Sequence, residues 1–203
     1  NNVNITSRIT YLAINNDRTL LHLGLSNSTR RNNDNTYKIS SRAENHLGTK
    51  LIDATFEDVD KSNLLGGEFA YVNGSLSLQV DYLQTTLIGV TETKLSSYYT
   101  QLSYFLTGES RPYKSSLDGF GRVIPNSNYG NGGKGAIELV ARISQICLQK
   151  ADMGQLNDIT VGLNWYLNPN TRVMINYVMG ERTNISSEVI TENAVMMRVQ
   201  LDF

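Results

Sequence analysis

The last ten residues put Val195, Met197, Val199, Leu201 and Phe203 on one side of an extended chain, and Ala194, Met196, Arg198, Gln200 and Asp202 on the other. Side chains alternate across a strand, so a period of two predicts a strand with one apolar face. The same pattern recurs through the chain. Val173, Ile175, Tyr177 and Met179 alternate with Arg172, Met174, Asn176 and Val178, and Ile159, Val161, Leu163 and Trp165 alternate with Asp158, Thr160, Gly162 and Asn164. Near the start, Val3, Ile5, Ile9 and Tyr11 oppose Asn4, Thr6, Arg8 and Thr10, and Leu21, Leu23 and Leu25 oppose His22 and Gly24. Residues 36–44 set Tyr37, Ile39 and Ala43 against Lys38, Ser40 and Arg42. Further strands are expected at 64–73, 75–87, 96–107 and 135–148, about ten in all.

Turns separate these runs. Asn73-Gly74 is a strong hairpin signal, and Asn168-Pro169-Asn170 and Asn15-Asn16-Asp17-Arg18 are tight turns. Longer connections are expected at 45–63, 108–134 and 181–193. No helix, linker or domain boundary is legible, so residues 1–203 read as a single partial domain. Composition narrows the class. Eighteen Lys and Arg against 19 Asp and Glu give a net charge of −1, which excludes the basic excess of a nucleic-acid binder. Charged residues make up 18%, below the ~25% of soluble domains. One cysteine, Cys147, excludes an intrachain disulfide. Asn1-Asn2-Val3-Asn4 does not begin a signal peptide. For an exported protein this implies a start removed by processing or truncation.

Two all-β architectures alternate in this way, a soluble sandwich and a membrane barrel. Strand lengths near ten exceed the ~5–6 of soluble sheets and match the ~9–11 of a tilted membrane crossing. Tight turns and longer loops tend to alternate, as in outer-membrane barrels. Phe203, at the end of an alternating strand, fits the aromatic C-terminal assembly signal of such barrels. Lipid cannot satisfy backbone N–H and C=O groups, so a sheet that crosses it must close on itself. The expected fold is therefore an antiparallel transmembrane β-barrel.

The run Tyr104-Phe105-Leu106-Thr107-Gly108-Glu109-Ser110-Arg111-Pro112-Tyr113, followed by Gly119-Phe120-Gly121-Arg122-Val123 and Pro125, resembles the phosphate-selective porin O and P family. So do Gly135-Ala136, Glu138-Leu139, Ala141-Arg142, the run from Thr160 to Asn170, Asn176-Tyr177 and, upstream, Leu20-Leu21-His22-Leu23-Gly24. The resemblance implies a porin of about sixteen strands, of which this chain supplies the last ten, lacking a signal peptide and about six N-terminal strands. It also implies the bacterial outer membrane, a homotrimer, contact with outer-membrane lipid and lipopolysaccharide, and passage of small anions such as phosphate or pyrophosphate. No cofactor is implied.

Family members selective for phosphate carry a ladder of arginines on one strand and the loop after it. The matching positions here are Lys38, Ser40, Arg42 and His46, with Ala43-Glu44 where the family has Pro-Glu or a similar pair. Only Arg42 keeps the family's residue, which weakens the case for phosphate. Alternation independently turns Lys38, Ser40 and Arg42 toward the lumen. Spaced cations of this kind pass an anion along without a deep trap. Arg8 and Arg142 are further expected lumenal cations, with Arg172 and Arg198. Glu68, Asp81, Glu138 and Asp202 are the expected lumenal anions, so the bias toward anions is mild. The connection bearing Arg111, Lys114 and Arg122 counts back from Phe203 to the periplasmic side. It either folds inward as a constriction or holds the barrel end through ion pairs. Loop 45–63 counts to the extracellular side and could also fold inward. No catalytic site is expected. Gly108-Glu109-Ser110-Arg111-Pro112 is not a nucleophile elbow, and His22 and His46 are the only histidines, without metal-ligand spacing. Two readings stay open beside the porin: a structural or adhesive barrel with a plugged lumen, and a soluble binding module.

Overall fold

The computed structural model describes residues 4–115, 119–130, 132–148 and 153–202. Phe203, the expected assembly signal, lies outside the described residues. The described chain forms strands β1 (Ile5–Asn15), β2 (Thr19–Arg31), β3 (Tyr37–Arg42), β4 (Lys50–Phe56), β5 (Val59–Asn73), β6 (Leu76–Gly89) and β7 (Glu92–Phe105). After them come β8 (Tyr113–Lys114), β9 (Gly119–Phe120), β10 (Ala136–Cys147), β11 (Gln155–Asn168), β12 (Thr171–Thr183) and β13 (Val189–Leu201).

Nine of these make one antiparallel sheet, in the order β1-β2-β5-β6-β7-β10-β11-β12-β13. The sheet is a meander with β1 and β13 as its two open edges. Its strands run 11 to 15 residues, longer than expected, because pairing continues past the apolar band into polar rims. The turns are those the sequence marks. Gly74, with φ of 58°, lets β5 reverse into β6.

One expected wall strand is not in the wall. β3 pairs only with β4, in a separate two-stranded sheet. Residues 36–44 alternate as a wall strand does because a hairpin lying on a surface is also two-sided. The pattern shows that a strand has two faces but not which strand it pairs with. The connection expected at 181–193 is shorter, since β12 runs to Thr183 and β13 starts at Val189.

The sheet is inside-out relative to a soluble protein. Tyr177 is 40% exposed and Val195 is 75% exposed, while Val178 is 1% exposed. Leu139, Ile143, Val161, Leu163, Ile175, Met197 and Val199 share the exposed face. Left in water, each of these partly exposed side chains forgoes a share of the ~1.5–3 kcal/mol that full burial would give, so an apolar band of this extent fits hydrocarbon better than water. No helix among the described residues is long and apolar enough to cross a membrane, which is neutral for a strand-built span.

The opposite face is concave. The β3–β4 hairpin meets Val59, Leu87, Leu95, Leu148, Leu156 and Val178, from β5, β6, β7, β11, β12 and the end of β10, in one cluster with Ala43, Leu51 and Ile52. The described residues of segment 106–135 close over the other end of the same face, where Phe105, Val123, Ala136 and Tyr166 form a second cluster. The hairpin therefore fills the end reached by β2 and β5, and segment 106–135 fills the end of the tight turns.

Candidate functional site at the inner hairpin

Residues 32–58 leave the wall after β2 and return at β5, and the hairpin they form lies against the concave face. Its register pairs Lys38 with Thr55 and Ser40 with Asp53, and slips between Ser41 and Arg42. The apolar side of the hairpin is seated on the wall, so its polar side is turned away from the wall.

Glu44 fastens the hairpin to the wall. Its carboxylate accepts hydrogen bonds from Ser144 Oγ at 2.9 Å and Thr160 Oγ1 at 2.7 Å, and pairs with Arg142 Nε at 2.6 Å. The Arg142 guanidinium stacks on the Tyr99 ring with its carbon 4.0 Å from the centroid. Two further ties follow. Asn45 Nδ2 donates to Glu192 Oε1 at 3.0 Å, and Arg182 donates to the Leu51 carbonyl. Gly180 makes the close approach possible: a Cβ there would stand 2.5 Å from the Ala43 Cβ.

The expected ladder positions divide into two groups. Arg42 and His46 join Ser40 and Arg142 around one cavity of about 420 Å³. Arg42, Glu44 and Arg142 also line a neighbouring cavity of about 460 Å³, whose wall includes Glu68, Asp81 and Asp158. Arg42 Nε donates to the Gly48 carbonyl at 2.8 Å, which shapes the loop carrying His46. Lys38 is turned to Asp53, with Nζ 3.2 Å from Oδ1, and Lys50 approaches the same carboxylate at 3.4 Å. The hydrogen bond from Lys38 holds the Asp53 carboxyl below its ordinary range, with Lys50 adding to the effect. Arg8 on β1 reaches past Gly24 of β2 to Glu68 on β5, two strands along the same wall, in a two-pronged contact at 2.8 and 2.6 Å.

At the tight-turn end, segment 106–135 is built around a buried ion pair. Arg111 donates to Glu138, which is fully buried and also accepts from Tyr166 Oη at 2.9 Å and Asn164 Nδ2 at 2.9 Å. The Arg111 guanidinium lies 6.0 Å from the Phe105 centroid and 5.5 Å from that of Phe120. Arg122 donates to Asn170 Oδ1 at 2.7 Å and approaches Asp202 at 3.6 Å. Tyr113 reaches across to His22 on β2, with Oη 2.9 Å from Nδ1. Lys114 is exposed on β8. Arg111 and Arg122 are thus occupied in holding this end together.

Glu138 and Arg142 share a strand face in the sequence, but each takes its partner from an inserted segment, Arg111 and Glu44. Sequence reasoning omitted two inward carboxylates, Asp158 and Glu192. Asp158 already stood on the polar side of its alternating run. Glu192 fell within a segment read as a connection. Among the described residues, no group of three His, Cys, Asp or Glu side chains is placed to hold a metal ion.

Comparison with known proteins agrees with this geometry. A family model described as "Phosphate-selective porin O and P" matches residues 4–203. Porin O of Pseudomonas aeruginosa is 30% identical over 172 residues, which cover 73% of this chain and 38% of that protein. An uncharacterized protein of Caulobacter vibrioides is 27% identical over 168 residues, 79% of this chain and 34% of that protein. The chain therefore spans well under half the length of these relatives. With strands apolar toward lipid, a polar concave face and a family match along nearly its whole length, the chain belongs to the phosphate-selective porin O and P family, a family of outer-membrane porins that are not enzymes.

Proposed function

We propose that this chain forms the C-terminal wall and an inner constriction of a water-filled outer-membrane channel for passive diffusion of small solutes, with a mild preference for anions such as phosphate or pyrophosphate. The observation that carries the reading is the β3–β4 hairpin folded against the concave face. It sets Arg42 and His46 beside Arg142 around a solvent cavity. A segment that only sealed the lumen would bury its polar side, whereas this one turns it to water. Cations spaced along a narrow passage lower the barrier for an anion without trapping it. In this reading the hairpin is at the extracellular end and segment 106–135 at the periplasmic end. The parent channel is a homotrimer whose outer faces contact lipid and lipopolysaccharide.

The tightly tied segment 106–135 favours a second reading, a barrel whose lumen is plugged and whose role is structural or adhesive. Conductance separates the two. The full-length polypeptide containing this chain should form discrete channels in planar bilayers, with a reversal potential in a KCl gradient on the chloride side. Replacing Arg42 by Gln should move that potential toward potassium. Absence of conductance would leave the plugged barrel as the better account, and a potassium-selective wild type would overturn the anion preference.

A further inference from the structure

Where the turn end of the inner hairpin meets the wall, the cavity of about 460 Å³ carries charges of both signs. That volume lies within the ~300–1,000 Å³ of small-molecule sites. Its wall side follows one register row: Glu68 of β5, Asp81 of β6, Tyr99 of β7 and Ser144 of β10. Its hairpin side is Ser41, Arg42 and Glu44. A Cβ at Gly66 would stand 2.3 Å from Ser26 Oγ, so glycine there leaves this part of the lining to backbone and hydroxyl.

Most of the charges cancel in pairs. Glu44 is bound to Arg142 at 2.6 Å, with Arg142 stacked on Tyr99, and Glu68 is bound to Arg8 at 2.6 Å. Asp158 borders the same space but is 6% exposed, so it offers a solute little surface. Two charges remain. Arg42 is exposed and spends Nε on the Gly48 carbonyl, and its guanidinium has no ion pair among the described residues. Asp81 is half-buried with the Tyr99 hydroxyl beside it, and it too has no ion pair among the described residues. Arg42 comes from the hairpin and Asp81 from the wall, so the two unpaired charges sit on separate elements that border one water space.

A chloride ion in this space is drawn to Arg42 and repelled by Asp81, and a potassium ion meets the reverse, so the two effects offset for either ion. A molecule that carries both charges satisfies both side chains at once. A guanidinium takes a carboxylate in a two-pronged contact, and a carboxylate accepts hydrogen bonds from an ammonium. The hydroxyls of Ser26 and Ser97 line the same space and can donate or accept. We propose that this cavity is a binding position for small zwitterions of the amino-acid class, with the solute carboxylate on Arg42 and its ammonium on Asp81. The channel then passes free amino acids as well as the anions that follow the hairpin. This rests on the channel reading above.

The test uses the full-length polypeptide, in proteoliposomes swelling in isosmotic serine or glycerol and in planar bilayers under a KCl gradient. Asp81→Asn and Arg42→Gln should each lower the serine-to-glycerol rate ratio by about two- to fivefold, the scale of one partly exposed charge pair. Their effects on reversal potential should be opposite, toward chloride for D81N and toward potassium for R42Q. A shared loss with opposite ion shifts is the signature of a zwitterion site and not of a merely structural role. A ratio unchanged in either conducting variant would overturn the site and leave the channel standing. A wild type that neither swells the vesicles nor conducts would overturn both. If a variant does not assemble, the wild type decides. Serine at tens of millimolar should then reduce its single-channel KCl current more than equimolar glycerol does, and an equal reduction would overturn the site.

Discussion

Glu44 of the inner hairpin and Arg142 of the wall meet at 2.6 Å, 98 positions apart in sequence, and the same carboxylate takes hydroxyl hydrogen bonds from two adjacent strands. One side chain thus gathers β10 and β11 onto the hairpin. Replacing Glu44 by Ala removes the acceptor for Ser144 and Thr160 and frees Arg142. The variant should lose about 1–3 kcal/mol of stability, and its channels should flicker more and favour chloride more strongly. Urea unfolding and single-channel recording check the two effects.

Gly180 gives a steric test of the same seat. A Val side chain there would collide with Ala43, whose Cβ stands 2.5 Å from the missing Cβ position. Since β12 is held on both sides by neighbouring strands, the hairpin is the part that yields. Gly180→Val should preserve the barrel, seen as unchanged heat-modifiable migration on a gel, and should raise single-channel conductance by displacing the hairpin.

The buried pair at the other end behaves differently. Removing one member leaves an uncompensated charge in a site where Glu138 is fully buried. Glu138→Ala should cost about 3–5 kcal/mol, whereas replacing Arg111 and Glu138 together by Met and Leu should cost much less. Proteolysis of segment 106–135 and urea unfolding measure the difference. Equal losses in the single and double variants would contradict it.

Acid should act on the hairpin through Asp53. Its carboxyl is depressed in the folded state by Lys38 and then Lys50, so its contribution is fully present above the unfolded value, near pH 4. That contribution is lost as pH falls through the lower, folded value. The hairpin's protease sensitivity should therefore be flat from pH 5 to pH 8 and rise only below about pH 4. Asp53→Asn should show the acid behaviour at neutral pH. The carboxyl is exposed, so the change should be small.

Face assignment predicts opposite results for neighbouring residues of β13. Val195→Arg places a cation in the lipid-facing band and should cost about 2–4 kcal/mol if it lies near the midplane. Arg198→Val alters the inner face and should leave assembly intact. Folding yield into detergent micelles distinguishes them.

Alternation revealed most of the wall. It orients Val173 to Met179 and Ile159 to Trp165 correctly, because lipid on one side and water on the other impose a period of two. It could not tell that Lys38 to Arg42 belong to an inserted hairpin, since a hairpin packed on an apolar surface meets the same asymmetry. The ion pairs were also illegible. Glu138 and Arg142 look like partners on one strand, but Arg111 and Glu44 come from distant segments and win by burial and by added hydrogen bonds. Glu192 was hidden because Val189-Ile190-Thr191 breaks the alternation just where β13 begins.

The order of the wall carries a parity constraint. Every one of its seams is antiparallel, and there are nine strands, so β1 and β13 run in the same direction. Joining those two edges directly would create a parallel seam. A cylinder with only antiparallel seams needs an even number of staves, so this wall closes only with an odd complement. In a barrel of about sixteen strands, that complement is about seven rather than six.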